Sequence, residues 1–93
     1  MLDSYTIRDL QNRLIVKCGE VIYNPVMYLV QGMIPQLEVI YPIYGKSYKF
    51  TIPVCLFESY NRYTVGKVDD LIKEIKRNVE LAHKRGEKLK WIL

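Results

Sequence analysis

The chain has 93 residues, 49% hydrophobic and 26% charged, with 5 glycines, 4 prolines and a formal net charge of +4. That length predicts one domain around one core, and the composition excludes a disordered chain. No apolar run approaches the ~18 residues of a membrane span, and the first residues carry acids without an apolar segment, so no transmembrane helix or secretory signal is expected and a cytoplasmic location is.

Taken in order, the spacing of Ile7, Leu10 and Leu14, with Thr6 and Asp9 as a capping pair, predicts a helix over 4–17 that stops at Gly19. A second reading makes 14–18 a strand that turns at Gly19-Glu20 into 21–23, because β-branched residues crowd there. Asn24-Pro25 breaks the chain. The almost wholly apolar stretch 26–31 then predicts a strand covered on both faces, with Gly32 and Pro35 turning it into the next.

The clearest local signal is a hairpin. Leu37, Val39 and Tyr41 alternate with Glu38 and Ile40, and after a turn at Tyr44-Gly45-Lys46-Ser47 the residues Tyr48, Phe50, Ile52 and Val54 alternate with Lys49, Thr51, Pro53 and Cys55. Strands are expected over 37–43 and 47–56, with Pro42 and Pro53 at an edge or a bulge because neither can donate to a ladder. Thr64 is the expected cap of a long helix over 64–85, whose apolar stripe is Val68, Leu71, Ile72, Ile75, Val79 and Ala82. Gly86 is its expected stop, and 86–93 is expected as a tail that forms a short strand or prolongs the helix. The expected fold is α+β: an antiparallel meander of three or four strands with a short N-terminal and a long C-terminal helix.

Chemistry-bearing patterns are few. The single histidine, His83, sits beside the apolar stripe with no nucleophile and base arranged around it, which predicts a boundary residue and no catalytic role. Cys18 and Cys55 lack metal-ligand spacing and are expected as free thiols, small residues of the core. Glu38 and Glu58, the acids near the sheet, have no context that marks a catalytic pair. Gly45-Lys46-Ser47 lacks the upstream glycine of a phosphate-binding loop and reads as a turn. No enzyme activity, cofactor or metal is expected.

Two surfaces remain. Tyr41, Tyr44, Tyr48, Tyr60 and Tyr63 gather in and after the hairpin, and tyrosine offers large contact area with a polar tip, which suits a protein partner or a second copy of the chain; aromatics packed across strands would give the same pattern. The net charge, meanwhile, is confined to the chain from Lys73 onward. There Lys73, Arg77, Lys84, Arg85, Lys88 and Lys90 could track a phosphate backbone, with Trp91 stacking on a base. The pairs Asp69 with Lys73 and Glu80 with Lys84 would instead make these charges an ordinary solvated helix face.

The stretch from Pro42 to Leu56, about a sixth of the chain, resembles the central hairpin of ubiquitin E2 variant domains in its Pro-x-Tyr, its glycine turn and its Ile-Pro-x-Cys-Leu strand. The chain departs from that family in having no proline-rich flap at 59–63 and no downstream segment with a catalytic cysteine. The resemblance would imply an inactive, shortened binding version. The expectations rest on the residues themselves: a small non-enzymatic protein that binds a macromolecular partner, a regulator or inhibitor of viral or mobile-element origin by its small size and alanine-poor composition. The alternative is a nucleic-acid-binding domain.

Overall fold

The structure, a computed structural model, describes residues 4–58 and 62–92, with side chains described over 6–58 and 62–89. The architecture is α+β. Helix α1 (Ser4–Arg13) leads into a two-stranded hairpin, β1 (Val16–Cys18) with β2 (Val21–Tyr23); a three-stranded antiparallel sheet follows, in the order β3 (Val26–Val30), β4 (Gln36–Ile43), β5 (Lys46–Pro53). A 3₁₀ turn, Val54–Phe57, then hands the chain to α2 (Arg62–Ile92).

The N-terminal region follows the second of the two readings. Helix α1 does not reach residue 17: it ends at Arg13, with Leu14 N–H donating back to Leu10 and Gln11 carbonyls, and Val16 enters β1. The run Ile15-Val16 disfavours another helical turn, and Gly19, at φ +63°, supplies the left-handed first position of a two-residue turn that pairs Cys18 with Val21. Thr6 lies inside α1 rather than at its cap, and Thr64 likewise lies inside α2.

The hairpin β4–β5 forms in the expected alternation. Leu37, Val39, Tyr41 and Ile43 are buried, while Glu38 turns outward and pairs with Lys49 at 3.4 Å. Its turn is Tyr44-Gly45, both at positive φ (47° and 79°), between the paired Ile43 and Lys46. That is the geometry whose twist matches two strands joined by two residues. Pro42 falls where β4 has run past the end of β3 and pairs only with β5, and Pro53 ends the edge strand β5, so each missing donor faces an unpaired side. The ladder ends at Pro53 rather than residue 56; the 3₁₀ turn after it buries Val54 and Phe57 and leaves Cys55 exposed, not in the core.

Helix α2 spans 31 residues and lays Val68, Ile72, Ile75, Val79 and Ala82 on the inner face of the sheet, where they meet Leu37, Val39, Tyr41, Ile43 and Ile52. Leu10, Leu14, Val16, Tyr23 and Phe57 join them in the core. The helix does not stop at Gly86, and the tail continues it to Ile92. No helix among the described residues is long and apolar enough to cross a membrane.

Strand β3 is not the doubly covered strand expected over 26–31. Among the described residues it pairs on one side only, with β4, and Val26, Tyr28, Leu29 and Val30 are exposed. The centre goes to β4, whose eight residues alternate cleanly and give Leu37, Val39, Tyr41 and Ile43 to the core.

Candidate protein-interaction surface

The structure disperses the tyrosines. Tyr41 is fully buried, its hydroxyl donating to the Leu14 carbonyl at 2.6 Å and its ring edge-on to Phe50, so it holds α1 to the sheet and offers nothing to a partner. Tyr44 stands on the β4–β5 turn and Tyr48 beside it on β5, half-buried. Tyr63 is exposed in the first turn of α2 with Lys67 Nζ 4.5 Å from its ring centre. Along the helix axis it stands about 35 Å from Gly86, which carries Tyr44. Tyr60 lies outside the described residues. Among the described residues, Tyr44 and Tyr48 share one cleft while Tyr41 and Tyr63 lie apart from it.

Around Tyr44 the packing is specific. Its ring lies on Gly86 and stacks obliquely on His83, with ring centres 5.5 Å apart. Under it, His83 is buried, its Nδ1 2.7 Å from the Tyr23 hydroxyl and its Nε2 3.6 Å from a Glu87 carboxylate oxygen. On one side of Tyr44 opens a cleft of about 580 Å³ lined by Ile43, Tyr48, Ala82 and Leu89 with Lys46 and Arg85; on the other, a cleft of about 590 Å³ holds Cys18, Glu80 and Glu87. Burial raises the Cys18 thiol above its ordinary range, and Glu80 adds to the rise, which lowers its thiolate fraction. Burial likewise raises the Tyr23 phenol. The chain Tyr23–His83–Glu87 is an orienting network without an activated nucleophile, and among the described residues no group of acids, cysteines and histidine has a metal-binding arrangement.

The basic residues do share a face. Lys73, Arg77, Lys84 and Lys88 lie along the outer side of α2, all exposed, with Arg85 exposed toward the cleft. The expected pairing within the helix is absent: Asp69 bonds Arg13 of α1 instead of Lys73, and among the described residues no ion pair engages Lys73, Arg77, Lys84, Arg85 or Lys88. The side chains of Lys90 and Trp91 lie outside the described residues.

A departure from ordinary surface composition is the open edge of the sheet, β3, with the loop that follows it. From Val26 to Ile34 no side chain is charged, and Val26, Tyr28, Leu29, Val30, Met33 and Ile34 are all exposed. The opposite edge, β5, carries the exposed Lys46 and Lys49 and ends in Pro53, the devices that keep a sheet from adding strands; β3 has none of them between Pro25 and Pro35. Sequence reasoning passed over this site because an apolar run reads equally as a buried strand. Its brevity and its flanking prolines were the signals that it could take an edge.

Fold and surface together define a small α+β protein that presents an unprotected sheet edge and a separate basic helix face. No protein-family model, curated protein or solved structure matches the chain. The hairpin's resemblance to E2 variant domains gains no support from these comparisons.

Proposed function

We propose that the protein is non-enzymatic and works by binding a protein partner, which adds an extended segment to the open edge of β3. The observation that carries this reading is the uncharged, largely exposed run formed by β3 and the loop after it to Ile34, with β3 paired on one side only among the described residues. An open edge offers a row of main-chain donors and acceptors for affinity, and side chains alternating to the two faces supply specificity. A protein that binds in this way acts by occupancy, as a stoichiometric regulator or inhibitor.

The test compares affinity capture by the wild type, by Leu29→Lys, and by the double charge reversal Lys84→Glu/Arg85→Glu. The edge substitution abolishes protein capture and the charge reversal preserves it. The reverse ranking overturns the reading. It would promote a nucleic-acid-binding function on the outer face of α2, which Lys73, Arg77, Lys84 and Lys88, exposed and without an ion pair among the described residues, favour.

A further inference from the structure

Resting on that reading of β3, we infer that the segment added to its edge is the β3 of a second copy of this chain, related by a two-fold axis through Tyr28. The strand reads Val-Met-Tyr-Leu-Val, close to a palindrome centred on Tyr28. A two-fold axis normal to a sheet runs a strand antiparallel to its own copy, the sense this sheet already has. About Tyr28, that axis sets Val26 opposite the partner's Val30, Met27 opposite the partner's Leu29, and Tyr28 opposite the partner's Tyr28. Every cross-strand pair is apolar and of matched size.

The register also keeps the two faces consistent. Met27 and Leu29 stand opposite Val39 and Leu37 of β4, on the buried face, whereas Val26, Tyr28 and Val30 stand opposite Ile40, Glu38 and Gln36 on the outer face. Paired residues under the two-fold always belong to the same face, so the inner surface of one sheet continues into the inner surface of the other. A slip by one residue would set inner side chains against outer ones.

Charge argues for a copy as occupant. A chain of net charge +4 meets its own repulsion in most self-contacts, yet between Pro25 and Pro35 there is no charge to bring together. The contact closes as a dimer, because β5, the other edge, is guarded by Lys46, Lys49 and Pro53, and Pro25, lacking an N–H, bounds the ladder at one end.

Sedimentation of the whole chain from low to several hundred micromolar tests this, with V26K/V30K and V26E/V30E as paired variants. Both positions are exposed on the outer face, so the fold tolerates them. The wild type shows a concentration-dependent dimer. Each variant alone sets like charges opposite one another twice and weakens dimerisation by about tenfold or more, and mixing the two restores a heterodimer that neither forms with itself. A wild type that stays monomeric, or variants that dimerise as well alone as mixed, overturns the inference. Capture of a different protein that is still lost in Leu29→Lys would then keep β3 as the working surface while removing the second copy; loss of both would end the reading itself.

Discussion

The ring of Tyr44 lies so close on Gly86 that a Cβ at position 86 would stand 2.3 Å from Tyr44 Cδ2. This contact accounts for two oddities at once: a glycine inside a continuous helix, and a tyrosine at φ +47°, a left-handed conformation ordinarily left to glycine or asparagine. The strained turn aims the ring at α2, and the missing side chain of Gly86 receives it.

A matched pair of substitutions tests that role. Gly66, on the same helix, has nothing within 4 Å of an added Cβ. Gly66→Ala should therefore stabilise the fold by about 1 kcal/mol through helix propensity. Gly86→Ala gains the same propensity but forces Tyr44 off its seat, an overpacking cost of about 1–3 kcal/mol, so it should be neutral to destabilising. Thermal or denaturant unfolding reads the difference. In the Tyr44→Ala background the penalty at position 86 should vanish and the propensity gain appear.

The Tyr41 hydroxyl satisfies the Leu14 carbonyl where α1 hands over to β1. Tyr41→Phe should cost about 1–3 kcal/mol, because the carbonyl is left buried and unpaired. Burial holds the Tyr41 phenol well above its ordinary range. The unfolded chain gives up that proton near pH 10 while the fold retains it. The resulting stability is fully present below that pH and is lost as pH rises through the alkaline range. Denaturant midpoints between pH 8 and about 11 should fall steeply for the wild type and less steeply for Tyr41→Phe, with Tyr23 and Cys18, also raised by burial, carrying the remaining slope.

The two thiols should separate by rate. Cys55 is exposed on the 3₁₀ turn, and Cys18 is half-buried with its thiol held protonated by burial and by Glu80. Iodoacetamide at neutral pH, followed by mass spectrometry, should alkylate Cys55 first and Cys18 only slowly; equal rates would show that the cleft beside Tyr44 is open to reagent.

Should the outer face of α2 bind nucleic acid, four phosphate contacts from Lys73, Arg77, Lys84 and Lys88 would give log K a slope of about −3 to −4 against log salt. Anisotropy of a labelled duplex measures it, and binding to protein through β3 predicts no saturable duplex binding at physiological salt.

Much of this fold was legible because local and tertiary signals agree. The alternation from Leu37 to Ile52 produced the hairpin, and the stripe from Val68 to Ala82 produced the buried face of α2. Where they conflict, the sequence misled. Gly86 carries the local signature of a helix stop, but that signature is overruled by a ring arriving from Tyr44, a residue distant in sequence. His83 looked like a boundary residue on the helix wheel and is buried because Tyr23 and Tyr44 close over it. Of the tyrosines near in sequence, only Tyr44 and Tyr48 stand together among the described residues, since Tyr41 points inward and Tyr63 sits near the far end of α2. The edge of β3 stayed hidden because composition does not say on how many sides an apolar strand is paired.

The most direct measurement replaces Tyr28 with a photo-crosslinking amino acid and, in a second protein, replaces Arg77 on the outer face of α2. Irradiated in the cells that make the protein, the probe at Tyr28 should yield a discrete protein adduct, a second copy or another chain, and the probe at Arg77 should not. An adduct to nucleic acid at Arg77 with none at Tyr28 would contradict the account.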